Sequence, residues 1–292
     1  MSRVLLVDVM SEAFRAFHAL PKTIFTRDGV LINALLGFHN SLKRLVEDFK
    51  PTLCITAWTG IGPTFRHKLF PEYKSERSLP EALRAQKPLI SAYLGWLEIP
   101  QFSCNGFEAD DVIATLARHF ASQGNDVLID TVDKDLWSLC SHSIKIWAPR
   151  AKTIVGPEEV IKRFQVQPAQ IPDFLALTGD ETDGIPRVPG ISVRQAVSLL
   201  GAYGSVRQIL DKYLEEIPEP QRIKMQQNRG LLELNLKLTT LCASVPLNLD
   251  DPIRYSHDLT NGFAQASAFF KAKELAFISL QEGTQYSFWP LS

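Results

Sequence analysis

The sequence holds little cysteine and arranges it without pattern. Cys54, Cys104, Cys140 and Cys242 are the only four in 292 residues, with no CxxC pair and no histidine at zinc-ligand spacing. Neither a disulfide framework nor a structural zinc site is indicated, and buried thiols are expected. Long apolar runs are missing too. The opening "MSRVLLVDVM" leads straight into a strand-like segment without the charged, apolar and small-residue zones of a signal peptide. A protein that stays in the cytoplasm and off membranes is expected. Nor does one sign of charge dominate: the formal net charge is −1, which argues against a generally basic nucleic-acid binder. No internal repeat or low-complexity segment is evident.

What is present is a globular composition, 45% apolar, enough for one large domain or two modest ones. "RVLLVD" (3–8), "TLCITA" (52–57), "IPQFSC" (99–104), "DVLIDT" (126–131) and "IKIWA" (144–148) read as strands between segments of helical period. Residues 34–49 and the stripe Ile113, Leu116, Ala117 and Phe120 supply such helices. Alternation of this kind predicts an α/β fold with a mostly parallel sheet flanked by helices. Strand signals thin out after about residue 150, and a second, helical unit is expected from about residue 171 to 292. Within the first unit, 66–98 forms a long insertion between two strands. The last forty residues carry an amphipathic helix pattern expected to pack back on the sheet domain.

Carboxylates gather where chemistry is expected. Ligands in open α/β sheets bind at the carboxyl ends of strands, and Asp8 ends the first strand, Asp133 and Asp135 follow another, and "GFEADDVIATLARHF" (106–120) puts Glu108, Asp110 and Asp111 at the start of a helix. Each alone is explained by the helix dipole or by turn formation. Together they repel, by roughly 4 kcal/mol per pair about 4 Å apart at an effective dielectric near 20. Such a cluster needs cations or large pKa rises, and oxygen-only ligands select a hard ion, Mg²⁺ or Mn²⁺. Asp180 and Asp183 in "LALTGDETDGIP" (175–186) bring the acids to eight, enough for two metals sharing a substrate phosphate.

These residues, in the order "VDVMSEAFRAFHAL" (7–20), "TFRHKLFPEYKSER" (64–77), "GFEADDVIATLA" (106–117), "DTVDKDLWSL" (130–139) and "FLALTGDETDGIPRVPGISVRQAVSLL" (174–200), resemble the bacterial and phage 5′→3′ exonucleases of the flap-endonuclease superfamily, related to the N-terminal domain of DNA polymerase I. The resemblance implies a PIN-like catalytic domain over 1–170 with an arch insertion at 66–98. It also implies a helical DNA-binding domain over 171–292, with a helix-three-turn-helix at about 185–212. By the same resemblance the metal acids are Asp8, Glu108, Asp110, Asp111, Asp133, Asp135, Asp180 and Asp183, holding two Mg²⁺ or Mn²⁺ ions. One family aspartate has no counterpart: Thr59 of "WTGIGPTFRH" stands at its position.

Residues 66–87 hold six Lys or Arg against three Glu. The resemblance implies that this segment guides a 5′ single strand, with Arg66 contacting DNA, Lys74 and Arg77 reaching the scissile phosphate and Tyr73 stacking on a base. Gly190, Ser192 and Arg194 are expected to meet a duplex phosphate, with a K⁺ ion bridging the turn's carbonyls. The expected reaction is hydrolysis of a DNA phosphodiester at a 5′ end, flap or junction, read by structure rather than base sequence. The chain is read as a free-standing, monomeric nuclease, with a DNA polymerase as an expected partner in trans. Two alternatives stand beside it. Thr59 motivates a catalytically weakened flap-binding paralogue, and the PIN-like fold admits an RNA nuclease, against which the helical second unit weighs.

Overall fold

The computed structural model describes residues 2–249, 259–272, 275–280 and 285–290. The first strand is buried at every position after Arg3. A run of that kind belongs in the middle of a covered parallel sheet, and β1 (Arg3–Asp8) lies between β2 (Leu53–Ala57) and β4 (Asp126–Asp130). The other strands are β3 (Gln101–Phe102), β5 (Ile144–Ala148) and β6 (Thr153–Val155), and the order is β3-β2-β1-β4-β5-β6. All neighbours pair parallel except β5 and β6.

The period of two divides the core. Val4 and Leu6 join one apolar cluster, Leu5 and Val7 the other. The second cluster is covered by α1 (Val9–Ala19), α2 (Asn33–Phe49) and α5 (Lys87–Trp96). Between α2 and α5 lie the short helices α3 (Phe65–Leu69) and α4 (Glu81–Arg84). Leu89, Ile90, Tyr93 and Leu94 are buried in α5 and Leu83 in α4, so the later part of the 66–98 insertion belongs to the core. On the first face α6 (Ala109–Ser122) buries Val112, Ile113, Leu116, Ala117 and Phe120 against the sheet.

The chain then continues through α7 (Pro157–Phe164), α8 (Ile171–Thr178), α9 (Val193–Tyr203), α10 (Val206–Gln208, prolonged as a π-helix to Tyr213), α11 (Glu219–Gln227) and α12 (Arg229–Thr239). Leu175, Leu199, Leu200 and Leu232 share the cluster of α6, so the helical part docks on the face of the sheet that α6 covers. From the last forty residues α13 (Leu259–Ala272) returns to the opposite face, where Phe263, Ala266 and Phe270 join α2 and α5. Strands β7 (Leu275–Leu280) and β8 (Gln285–Pro290) form a separate antiparallel pair. Of the last forty residues, 253–258, 273–274, 281–284 and 291–292 lie outside the described residues. Among the described residues, no helix is long and apolar enough to cross a membrane.

Register decides what meets at the sheet edge. Asp8 stands opposite Ala57, and Val7 opposite Asp130, so the segments leaving β1, β2 and β4 emerge side by side. β3 runs beside β2 and delivers the start of α6 to the same edge.

Candidate active site

Asp8 caps α1 as it leaves the sheet. Its Oδ1 accepts from the Ser11 amide at 3.1 Å and its Oδ2 from the Thr131 hydroxyl at 3.1 Å. Glu108 is the N-cap of α6, with Asp110 and Asp111 in the first turn, where the helix dipole favours anions. After β4 the turn is held by its own acids and hydroxyls: Thr131 Oγ1 accepts from the Asp133 amide, and Asp133 Oδ1 from the Asp135 amide at 2.9 Å. Asp180 and Asp183 flank a single 3₁₀ turn after α8, and Asp180 Oδ1 accepts from the Thr182 amide at 2.9 Å.

These acids feel one another. Burial pushes the Asp8 carboxyl up to about 6, with Asp133 adding to the rise and the Ser11 amide opposing it. Asp110 is driven well above the usual range by burial, then by Asp133, with Asp8 and Glu108 adding to it. Asp135 is raised by burial, then by Asp133, Asp183 and Asp180. Asp183 is raised by burial, with Asp133 and Asp180 contributing and Lys74 and Arg77 opposing. Asp133 is common to all four, joining a group of Asp8, Glu108 and Asp110 to a group of Asp135, Asp180 and Asp183.

Basic side chains stand among these carboxylates. Lys74 Nζ lies 2.8 Å from Glu108 Oε1 and 3.4 Å from Asp183 Oδ2. Arg77 pairs with Asp183 Oδ1 and donates to the Thr182 carbonyl, and Lys134 Nζ lies 3.0 Å from Asp180 Oδ2. Burial pushes Glu108 up, but Lys74 and Arg66 outweigh it and hold the carboxyl below its usual range. Lys74 is presented from a left-handed backbone (φ 54°), fixed by its amide on the Asp183 carbonyl at 3.0 Å. With the carboxylates so engaged, no three acidic, histidine or cysteine side chains among the described residues enclose one ion position. Asp135 Oδ1 is buried with no hydrogen-bond partner, the kind of orphan a cation would satisfy.

Three of the expected site residues turn inward. Asp111 is fully enclosed, and its oxygens accept from Arg66 Nη1 and Nη2, the Glu108 amide and the Cys242 amide, all within 3.1 Å. It braces the helix start and has no free oxygen to offer an ion. Arg66, expected on DNA, is 1% exposed and committed to Asp111 and Glu108. Tyr73, expected to stack on a base, is 2% exposed, its hydroxyl within 3.2 Å of both Glu108 and Asp183. Local charge counting could not show these partners, most of which arrive from 35 to 131 residues away in the chain.

Other positions follow their sequence logic more closely. Ser192 caps α9 by accepting from the Gln195 amide, Gly190 takes a positive φ of 73°, and Arg194 is exposed on the first turn. Thr59 Oγ1 accepts from the Ala109 amide at 3.1 Å, so the hydroxyl binds a free donor of α6. The sequence reading missed several groups: Ser11 and Thr131, which orient Asp8; Lys134; Lys224, whose ammonium is 2.8 Å from the Gly190 carbonyl; and Asp130, buried with neither oxygen partnered among the described residues. A charged residue closing an otherwise apolar strand was the available signal for Asp130.

Residues 3–165 match the 5′-3′ exonuclease N-terminal resolvase-like domain, and residues 166–258 the 5′-3′ exonuclease C-terminal SAM fold. The chain is 35% identical over 255 residues to a 5′-3′ exonuclease of Aquifex aeolicus, covering 86% of each. It is 37% identical over 250 residues to a DNA polymerase I of Mycobacterium tuberculosis, covering 84% of this chain and 28% of that longer protein. Among solved structures, a bacteriophage T5 5′-exonuclease with bound divalent metal ions (zinc) superposes with a TM-score of 0.70 at 20% identity, over 92% of this chain and 99% of the phage protein.

Proposed function

The chain belongs to the 5′-3′ exonuclease family, and from that premise we propose that it cleaves DNA at 5′ ends, flaps or junctions with two divalent metal ions. One observation carries the proposal: seven acids from four separate segments, Asp8, Glu108, Asp110, Asp133, Asp135, Asp180 and Asp183, gather at the carboxyl edge of the sheet, where burial raises Asp8, Asp110, Asp135 and Asp183 and Asp133 adds to each rise. Oxygen donors alone, an orphaned buried Asp135 oxygen and an ammonium standing between the acid groups fit hard divalent cations, Mg²⁺ in the first place. Asp8, Glu108, Asp110 and Asp133 would hold one ion, and Asp133, Asp135, Asp180 and Asp183 the other. Two such ions, when bound, supply activation of water and stabilisation of a departing oxygen.

The chain's own residues have defined tasks in this proposal. Ser11 and Thr131 keep Asp8 aimed at the edge. With divalent ions held by the acids, Lys74 and Arg77 would be free of Glu108 and Asp183, and their cationic groups would face the scissile phosphate to offset the charge that develops there. Ser192 and Arg194 at the start of α9 hold the duplex backbone. The K⁺ expected beside them would have to displace the Lys224 ammonium, which donates to the Gly190 carbonyl at 2.8 Å and can itself supply the positive charge there. A polymerase acting in trans is part of the same proposal, supported by the DNA polymerase I relatives, of which a segment like this chain makes up 28%.

The test is cleavage of a 5′-flap DNA in Mg²⁺ or Mn²⁺, run beside the same flap in RNA. Metal-dependent DNA products bearing a 5′-phosphate support the reading. Flap binding without cleavage would identify a binding paralogue, and preference for the RNA flap a ribonuclease.

A further inference from the structure

Arg66 uses all of its hydrogen-bonding capacity. A guanidinium has five N–H groups, and here Nε donates to the Leu238 carbonyl at 2.7 Å, Nη1 to Glu108 Oε2 at 2.9 Å and Asp111 Oδ2 at 2.7 Å, and Nη2 to Asp111 Oδ1 at 2.9 Å and the Thr240 carbonyl at 3.1 Å. The acceptors belong to two different parts of the protein. Leu238 and Thr240 lie at the carboxyl end of α12, where unpaired carbonyls collect the negative end of the helix dipole and favour a buried cation. Glu108 and Asp111 open α6, where the catalytic acids begin.

Neighbouring bonds tighten the same junction. The Cys242 amide donates to Asp111 Oδ1 at 2.9 Å, and Thr115 Oγ1 accepts from the Val245 amide, so the segment after α12 is fastened along α6. At its other side α12 holds the acid-bearing turn after α8, since Asn235 Nδ2 donates to the Ala176 and Pro186 carbonyls.

We infer that Arg66 is a positioning residue for the reaction, fixing Glu108 in register with the other acids by locking the carboxyl end of α12 to the amino end of α6. This rests on the reading of Glu108 as a metal ligand. Arg66 itself is buried too deeply to touch substrate. The alternative, a purely structural ion pair with Asp111, would leave the Glu108 bond without consequence.

The two roles separate when charge and stability are restored together. Arg66→Met alone leaves Asp111 as a buried unpaired charge and should destabilise strongly. Arg66→Met combined with Asp111→Asn removes both charges, keeps the net charge of the site and still offers one carbonyl oxygen, to either the Glu108 or the Cys242 amide. In the full chain this double variant should recover most of the lost melting temperature. Its half-saturating Mn²⁺, read by electron paramagnetic resonance, should still rise about tenfold, and its single-turnover flap cleavage should fall about 10–100-fold, as for lost supports of metal ligands. Arg66→Lys provides a second reading at a temperature where it is folded, because it keeps the charge but offers three donors for five acceptors. It should show the same Mn²⁺ shift. Wild-type Mn²⁺ binding and cleavage in either folded variant would overturn the inference. A wild-type protein that neither binds Mn²⁺ nor cleaves would count instead against the nuclease reading.

Discussion

The ammonium of Lys74 and the carboxylate of Glu108 meet at 2.8 Å, both largely buried, at the point where the two acid groups approach each other. A cation of the protein's own thus holds acids that would otherwise repel. Lys74→Met should therefore lower the stability of the metal-free protein, by less than the about 3–5 kcal/mol of a fully stranded buried charge, because Arg66 still pairs Glu108 and Arg77 still pairs Asp183. Mn²⁺ should restore more of the melting temperature in the variant than it adds to the wild type. Calorimetry with and without Mn²⁺ checks this, and equal metal effects in both proteins would contradict it.

Protons should compete with metal at Asp8. Burial raises its carboxyl to about 6, so in the metal-free protein its contribution to stability is fully present below the unfolded carboxyl's pKa, near 4, and is lost as pH rises through about 6. Metal binds the deprotonated form, so the Mn²⁺-induced rise in melting temperature should be large at pH 8 and shrink as pH falls through 6. A rise independent of pH between 5 and 8 would contradict this.

At position 59 a carboxylate should be accepted without refolding. Thr59 Oγ1 takes the Ala109 amide, a bond that an aspartate oxygen can also accept, and the side chain is exposed. Thr59→Asp should keep the melting temperature within a few degrees. Its added charge should lower the Mg²⁺ needed for half-maximal cleavage, several-fold by analogy with other charge changes near metal sites. Mg²⁺ titration of flap cleavage makes the comparison.

DNA binding should not depend on which monovalent cation is present. Because Lys224 already donates to the Gly190 carbonyl, exchanging K⁺ for Na⁺ at fixed ionic strength should leave flap affinity unchanged, and Lys224→Met should weaken it in either salt. Fluorescence anisotropy in the two salts checks this, and a preference for K⁺ in the wild type would refute it.

Much of this architecture was legible because the sheet is regular. Strands 3–8 and 144–148 keep their sequence bounds, and 126–131 shortens by one residue, since uninterrupted apolar, β-branched runs have no other use in a chain of this kind. The strand expected at 99–104 shrinks to Gln101–Phe102 because only those residues reach the edge of β2. Thr153–Val155 escaped notice because three residues returning antiparallel at an edge carry too little period to read. The acids at strand ends were readable from order alone. Their partners were not: Arg66 and Tyr73 look like solvent-facing charge and aromatic in the sequence, and only the docking of α12 and the turn at 180–183 turns them inward.

The central claim, two divalent ions sharing Asp133, is tested most directly by counting them. Mn²⁺ titration followed by electron paramagnetic resonance should find two bound ions in the wild type and weakened binding at both positions in Asp133→Asn. Two undisturbed sites in that variant, or no bound Mn²⁺ in the wild type, would contradict the account.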